Sequence, residues 1–417
     1  MQKKRKPMNL SKIWQKLDLL AMYIVFLSLV IFPFVRLREG LYAGIDDFLA
    51  PFIFLFTIKY LKDYIRHKYV WFLLIFSAYI MFTIAINGRL WSIRDYFEIY
   101  KMFKFLFFVL FAYIIFDKYK KAFDIVISIS FVLLLVMNLA HYFNVWGYNY
   151  YIEPYYATTE IHLSTFGLDS LGNPAVRRMI GTLGNPNDNA ILFLFYFTYF
   201  LSKTVTFGIN RNLLFMYLSF LCVVLTQSRT GFIAGLTVYI IWSIMTKQSI
   251  KISFINIIFF IATFFIAFTF SPLSLDYYAN TYPHLAKNNS VMGRLEMWEH
   301  LLRMIKHKPI FGYGPNKDYF YDNGLYPESE YVLYMWRYGI TGLLLYSAWI
   351  FLPVYKQVKK LRNNTFFLLF AIVIGLNAIT NCPLSSPKIN ALFALAVGYF
   401  FATIKPEGLK ANDGTHT

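Results

Sequence analysis

Long apolar blocks alternate with short basic connections along almost the whole chain. Uncharged blocks of about 16 to 20 residues are long enough, as helices, to cross most or all of a hydrocarbon core of roughly 30 Å. The pattern predicts an all-α, polytopic membrane protein, with residues 1–417 as one membrane domain. Twelve transmembrane helices are expected, near residues 19–35, 48–61, 69–86, 98–116, 122–140, 188–202, 213–226, 231–246, 252–270, 331–353, 365–380 and 389–404.

Charge distribution orients these helices. The chain has 40 lysines and arginines and a net charge of +18, a surplus that would suggest nucleic acid in a soluble protein. Here more than half of the basic residues lie in the termini and in the short connections on one side of the predicted spans. Because cytoplasmic loops of membrane proteins accumulate lysine and arginine, both termini are predicted to be cytoplasmic, and no nucleic acid partner is expected. The basic N-terminus lacks a small-residue cleavage site, which favours an uncleaved first span.

Two connections on the opposite side are long, at residues 141–187 and 271–330. The second contains an amphipathic helix at about 292–307, whose apolar stripe could lie in the lipid interface. The residues of that stripe are Leu295, Trp298, Leu302 and Ile305. Loops of this length fall near the limit of the charge rule, so their basic residues need another explanation. Substrate contacts are therefore predicted for Arg177, Arg178 and Arg303.

Two arginines mark candidate anion sites. Arg229 stands alone between two apolar spans in "LTQSRTGFIAG", and Arg294 opens the amphipathic helix after "NNSVMG". A guanidinium fork matches phosphate oxygens, so both arginines could hold one diphosphate. Alternatively, Arg229 anchors a turn by snorkelling and Arg294 faces lipid headgroups.

Asparagines and lysines add two further candidate groups. In "GTLGNPNDNA", Asn185 is expected to cap a helix that begins at Pro186, and Asn187 could bind a sugar or phosphate. In "IRDYFEIYKMFK", Arg94, Lys101 and Lys104 share one helical face, which favours an inward, water-filled cavity. The structural alternative is an ion pair with Glu98 on the same helix.

The segment "GLYPESEYVLYMWRYGITG" places Glu328 and Glu330 at the start of a helix and Arg337 two turns later. Acidic residues at a helix N-terminus are favoured by the helix dipole, which is the structural explanation for the glutamates. Seven scattered histidines and two cysteines show no metal-ligand spacing, so neither a metal nor a cofactor is expected.

In this order, "GTLGNPNDNA", "SRTG", "GRLEMW", "KPIFGYGP" and "ESEYVLYMWRYGITG" resemble the O-antigen ligase and polymerase family of bacterial envelope polysaccharide assembly. The resemblance implies a multi-pass, GT-C-like glycosyltransferase of the bacterial inner membrane that works without a metal. Its expected substrates are undecaprenyl diphosphate-linked glycans at the outer membrane face. Membrane lipids and a chain-length regulator are further candidate partners.

By this resemblance, Arg229 and Arg294 match the family's two arginines that hold the donor diphosphate. Ligases carry a His-Asn-x-Tyr pattern eleven residues before a glycine; counting back from Gly339 reaches Glu328, with Tyr331 matching the tyrosine. The missing histidine favours the polymerase branch over the ligases. Glu328, alone or with Glu330, would then take the proton from the attacking sugar hydroxyl. Arg337 would pair with an acidic neighbour.

The expected function is polymerisation of O-antigen, capsule or exopolysaccharide repeat units. An O-antigen ligase that transfers glycan to lipid A-core would share almost every feature. A lipid-linked oligosaccharide flippase or other transporter would show polar residues deep in many spans and repeat symmetry. A structural scaffold would tolerate the loss of Arg229 or Glu328.

Overall fold

The structure is a computed structural model of the 417-residue chain. It describes residues 10–38, 41–58, 68–156, 178–204, 211–248, 254, 256–263, 265, 289–324, 327–355 and 365–403. Arg177 lies outside these residues, as do parts of both predicted long loops.

Helices account for nearly all of the described residues. Residues 256–263 are also helical, and Val35–Arg38 pairs with Leu41–Ala43 in a small antiparallel hairpin where the sequence predicted only a turn. The helices are α1 Leu10–Ile31, α2 Ile45–Ile58, α3 Lys68–Ile86, α4 Ile93–Lys118, α5 Lys120–Phe143, α6 Tyr148–Tyr156, α7 Pro186–Lys203, α8 Arg211–Leu225, α9 Arg229–Met245, α10 Asn289–Ile305, α11 Lys317–Asp322, α12 Glu330–Tyr355, α13 Thr365–Asn377 and α14 Pro387–Thr403.

Every predicted span overlaps described helical residues. Within the described residues, four helices are long and apolar enough to cross a membrane by length and composition alone, namely Lys68–Ile86, Ile93–Lys118, Lys121–Phe143 and Glu330–Tyr355. Shorter apolar helices are Arg211–Leu225, Arg229–Met245, Thr365–Asn377 and Pro387–Thr403. A helical membrane protein fits these helices, whereas twelve crossings and the GT-C-like arrangement stay predictions.

Helices α4 and α14 pack closely in the core. A Cβ at Gly398 would lie 2.4 Å from the carbonyl oxygen of Val109, so only glycine permits this approach. Aromatic rings fill the adjoining space; Phe105 meets Trp349 of α12 edge to face at 5.1 Å between ring centroids. This core fixes α12, which begins at the candidate site, and α14, which follows directly on the segment that joins that site.

Helix α12 is sharply bent at Gly339. In a straight helix Glu330 and Tyr346 would lie roughly 24 Å apart, yet the Tyr346 hydroxyl donates a 2.7 Å hydrogen bond to Glu330 Oε2. Gly339 has φ 66° and ψ −165°, a conformation open essentially to glycine alone. The helix predicted at 331–353 is present but not straight: residues 330–338 and 340–355 form two arms that fold against each other.

The segment after α10 closes over this bend. The Ile340 amide donates to the Pro309 carbonyl at 2.8 Å, and the Tyr313 amide donates to the Trp336 carbonyl at 3.1 Å. Gly312 allows the contact, since a Cβ there would lie 2.5 Å from the Arg337 carbonyl oxygen. Glycines of "FGYGP" thus bring a loop against the vertex of α12.

Helix α10 occupies the segment for which an amphipathic helix was predicted, but its faces differ from the expected stripe. Leu301 and Ile305 are buried in a cluster that includes Trp336 of α12. Leu295 and Leu302 remain exposed. The predicted stripe missed Leu301, and protein covers the buried face of this helix.

Candidate active site

Three helix starts meet at one short segment between α13 and α14, residues 378–386. The hydroxyls of Thr230 and Thr380 lie 2.6 Å apart, which holds the start of α9 there. Asn381 Nδ2 donates to Asp188 Oδ1 of α7 at 3.1 Å. The Glu330 amide donates to the carbonyls of Ala378 at 2.9 Å and Asn381 at 3.1 Å. Helix starts that are spread from residue 188 to residue 330 of the sequence are thereby joined at one end of the bundle.

Asn185 caps α7 as its sequence predicts. Its side-chain oxygen accepts from the amides of Asn187 at 2.8 Å and Asp188 at 3.4 Å, and Pro186 follows at the first helical position. Arg178 braces this turn, because its guanidinium donates to Asn187 Oδ1 at 3.3 Å and to the Thr226 carbonyl at 3.0 Å. Both Arg178 and Asn187 thus serve the local architecture, and neither is buried.

Arg229 is the first residue of α9 and its side chain is exposed. Ser228 caps this helix by accepting from the Gly231 amide at 3.3 Å. Gln227, just before the cap, has φ 55°, in the left-handed region that few residues other than glycine adopt. The sharp turn delivers Arg229 to the surface directly beside Thr230, which contacts Thr380.

Arg294 and Glu328 form an ion pair between α10 and the residue that precedes α12 by two positions. Their side chains are 30% and 37% exposed, so a solute can reach both groups. Nearby, Trp298 Nε1 donates to the Pro327 carbonyl at 2.6 Å and holds the backbone just before Glu328. The predicted arginine and carboxylate therefore do meet.

The backbone of Glu328 is itself unusual. Its φ of 43° lies in the left-handed region, which costs a residue other than glycine about 1–3 kcal/mol. The neighbours on both sides are tied down, because the Pro327 carbonyl accepts from Trp298 and the Ser329 hydroxyl donates to the Ala378 carbonyl at 3.4 Å. The surrounding contacts thus hold the carboxylate in a conformation that the free chain disfavours.

Glu330 lies in a different environment. It is fully buried, and its two carboxylate oxygens accept from the Tyr346 hydroxyl at 2.7 Å, the Leu384 amide at 2.8 Å and the Ser385 hydroxyl at 2.7 Å. These bonds lock the second arm of α12 and residues 383–385 onto the start of α12. The geometry favours a structural task for this glutamate. Tyr331 does similar work, donating to the Gly375 carbonyl at 3.0 Å.

A second cluster of charges surrounds Glu98 of α4. Its carboxylate lies 2.6 Å from Lys101 Nζ, 3.0 Å from Lys317 Nζ and 3.3 Å from an Arg337 guanidinium nitrogen. We call these four residues the Glu98 cluster. Arg337 pairs with an acidic residue as expected, and that residue is Glu98. The ion pair between Lys101 and Glu98, which the sequence offered as an alternative to a cavity, is also present.

The other basic candidates have separate partners. Lys104, predicted on the face of Arg94 and Lys101, is buried between Asp46 and Asp47 at 2.6 Å from each. Arg94 pairs with Asp318 at 3.0 Å, and exposed Arg303 lies 3.8 Å from Glu299 on its own helix. The last contact is a surface pair of the kind that contributes little.

Sequence reasoning missed Asp188, Trp298 as a hydrogen-bond donor, and Lys317. Asp188 follows the cap in "GNPND", and an acidic residue in the first turn of a helix is a signal that could have identified it. Lys317 gave no local signal, since its partner lies on α4. Among the described residues, no three His, Cys, Asp or Glu side chains gather in a way that could hold a metal; the absence of a metal from the reaction stays a prediction.

Comparisons with known proteins find similarity over part and over most of the chain. Residues 214–347 match the protein-family model described as O-antigen ligase, a stretch that contains Arg229, Arg294, Glu328 and the bend at Gly339. The chain is also 24% identical over 412 residues to the ComP-specific O-oligosaccharyltransferase of Acinetobacter baylyi strain ADP1. That alignment covers 90% of this chain and 68% of the relative.

Proposed function

We propose that this chain, whose residues 214–347 match the O-antigen ligase family model and which is 24% identical to an O-oligosaccharyltransferase, is a glycosyltransferase that takes a glycan from a lipid diphosphate and joins it to a hydroxyl of a second molecule. Polymerisation of undecaprenyl diphosphate-linked repeat units at the outer face of the bacterial inner membrane is the proposed reaction. The observation that carries the proposal is the accessible Arg294–Glu328 pair, at the end of the bundle where Arg229 also lies.

The pair suits a reaction in which the donor itself releases the base. A diphosphate is a better partner for a guanidinium than one carboxylate, because it offers several oxygens and more negative charge. When Arg294 turns to the diphosphate, the Glu328 carboxylate is released from the ion pair and can accept a hydrogen bond from the acceptor hydroxyl. Donor binding would thereby free the base.

The step itself needs one nucleophile and one leaving group. The acceptor hydroxyl oxygen attacks the anomeric carbon, the bond from that carbon to the diphosphate oxygen breaks, and the hydroxyl proton passes to Glu328. The lipid diphosphate leaves as an anion, and Arg294 and Arg229 stabilise the charge that develops on it. Inversion at the anomeric carbon follows from a single displacement.

A second candidate acceptor is a protein hydroxyl. The relative that aligns over 90% of this chain is named as an O-oligosaccharyltransferase specific for ComP, so the same donor chemistry could serve a protein acceptor here. Ligation to lipid A-core would use the same donor site. The three reactions differ only in the source of the attacking hydroxyl.

Removal of the gene distinguishes these acceptors. Loss of long glycan chains with one repeat retained indicates a polymerase, and loss of all surface glycan indicates a ligase. Loss of glycan from a membrane or secreted protein indicates O-oligosaccharyl transfer.

A complementing Arg294→Ala variant should insert normally and restore no product, since removing one donor at such a site costs about 10²–10³ in rate. Lys306→Met, which removes an exposed cation from just beyond α10, is the matched control and should restore product fully. Full product from Arg294→Ala would contradict the donor-site assignment.

A further inference from the structure

The Glu98 cluster carries more positive charge than its position allows without a counter-ion. Within the described residues, three cations surround one carboxylate, and the exposed fractions of the side chains of Lys101, Lys317 and Arg337 are only 12%, 24% and 9%. Charges removed from water are costly unless they are paired. A net charge of +2 therefore remains to be compensated in a largely enclosed space.

The acids that the structure describes near this cluster do not supply that compensation. Asp95 lies 2.5 Å from Arg89, and Asp318 is shared between Arg89 at 2.7 Å and Arg94 at 3.0 Å, so this outer group is neutral. Glu330 is near enough to act on Lys101, but its oxygens already accept from three neutral donors. Even with its charge counted, the surroundings stay positive.

Two further observations indicate an absent anion. Buried Arg337 Nε finds no hydrogen-bond acceptor among the described residues, although buried guanidinium N–H groups are normally satisfied. The pKa of Lys317 is lowered by burial and by the charges of Arg337 and Lys101, and Glu98 only partly offsets this. An anion beside these groups would satisfy the free donor and relieve the repulsion.

We propose that the Glu98 cluster is a second anion site, which takes a phosphate-class oxyanion of the acceptor substrate. Lys317, the most exposed of the three cations, lies at its entrance, and Arg337 and Lys101 lie further in. Anion binding stands on the cluster alone, whereas the identification with an acceptor rests on the proposed function.

The position relative to Glu328 suits an acceptor. Glu328 precedes the first arm of α12, and Arg337 lies near its far end, so the two sites are separated by roughly 12 Å along that arm. In a lipid-linked acceptor, the attacking hydroxyl and the diphosphate are at opposite ends of the repeat unit. The acceptor diphosphate must therefore be held away from the donor diphosphate, as these two sites would do.

The test measures binding without turnover. Inorganic diphosphate is titrated calorimetrically into the full-length protein in detergent, in an Arg294→Ala background that weakens the donor site. Lys317→Met keeps the apolar stem but removes one charge, and a lost charge-assisted bond should weaken binding about tenfold. Glu98→Gln removes the competing carboxylate and should tighten binding severalfold. Lys306→Met removes an exposed charge outside the cluster and should leave the Kd unchanged.

Glu98→Gln leaves buried cations unpaired and could fold poorly, so its melting temperature is compared with and without diphosphate. Binding to the native state alone raises the melting temperature, and we expect a larger increase for Glu98→Gln than for its parent. Farnesyl diphosphate repeats the titration with a lipid-linked anion, and tighter binding than that of inorganic diphosphate supports a lipid-borne source.

Equal diphosphate affinity in Lys317→Met, Glu98→Gln and Lys306→Met would overturn the second anion site. This result differs from a failure of the proposed function, which would appear as unchanged glycans in the gene deletion whatever the titrations show. A Lys317→Met protein that loses diphosphate affinity supports the anion site in either case.

Discussion

Two glutamates that stand two residues apart, Glu328 and Glu330, occupy opposite kinds of environment. Glu328 is 37% exposed, pairs among the described residues with Arg294 of α10 alone, and adopts a left-handed backbone conformation. Glu330 is fully buried and accepts three hydrogen bonds from neutral donors. A carboxylate that must exchange partners during a reaction has to be reachable by substrate and held by few contacts. A carboxylate that stabilises a fold needs all of its hydrogen-bond capacity filled by the protein. The comparison assigns chemistry to the first and architecture to the second.

The largest expected effect tests whether Glu328 takes part in the reaction. Glu328→Gln keeps the size of the side chain but removes its basicity, and we expect glycan transfer to fall about 10²–10⁴-fold, the usual contribution of a general base. Product formation by the purified protein in detergent, with a lipid-linked donor, measures it.

The control for Glu328→Gln is Glu296→Gln, a change at an exposed position of α10 that should leave transfer unchanged. Expression and melting temperature should stay close to those of the wild type in both variants. Near wild-type transfer by Glu328→Gln would remove Glu328 from the reaction.

The architectural side is tested by Glu330→Ala. The hydroxyl of Tyr346 and the amide of Leu384, both buried, would lose their acceptor, as would the half-buried hydroxyl of Ser385. Each unsatisfied buried group costs about 1–3 kcal/mol, so we expect a loss of at least about 2 kcal/mol in the free energy of unfolding. Thermal unfolding in detergent would show this as a clearly lower melting temperature.

For comparison, Glu296→Ala on α10 should change the free energy of unfolding by no more than about 0.5 kcal/mol. If Glu330→Ala kept full stability but lost transfer, the roles of the two glutamates would have to be exchanged.

A smaller effect concerns how Glu328 is held. Trp298→Phe removes the hydrogen bond to the Pro327 carbonyl while keeping an aromatic ring. Because the residue acts through backbone position, we expect kcat to fall about tenfold, equivalent to about 1.4 kcal/mol, with little change in the donor KM.

Trp91→Phe is the matched control, since Trp91 is 94% exposed and should tolerate the same exchange. A rise in the donor KM at constant kcat in Trp298→Phe would instead place Trp298 in donor binding.

Much of the fold was readable from the sequence, because apolar blocks at helical length leave few alternatives in a membrane. The cap at Asn185 could also be predicted, because the amides that it accepts from belong to its own neighbours in the chain. The bend at Gly339 could not. A single glycine in an apolar run is compatible with a straight helix, and the contact between Glu330 and Tyr346, which shows that the chain folds back, has no local sequence signal.

The candidate site likewise has a part that could be predicted from the sequence and a part that could not. Arg294 and Glu328 were assigned to one site through a family pattern, which carries three-dimensional information that local spacing lacks, and their ion pair is visible only in the structure. The contrasting environments of Glu328 and Glu330 depend on residues 383–385, more than 50 positions away, and could not be inferred locally. Lys317 was missed because its partner, Glu98, belongs to a distant helix.

The smallest expected effect separates backbone strain at Glu328 from its charge. Glu328→Ala and Glu328→Asn both remove the carboxylate and its pair with Arg294, so both should lose transfer. They differ in the backbone, because asparagine adopts left-handed φ values several times more readily than alanine. If φ 43° stores strain, the Asn variant should be more stable than the Ala variant by about 1 kcal/mol. Unfolding of the two variants side by side measures this difference without reference to the lost ion pair. Equal stabilities would mean that the turn relaxes when the carboxylate is removed, and that Arg294 rather than the contacts of Pro327 and Ser329 holds Glu328 in place.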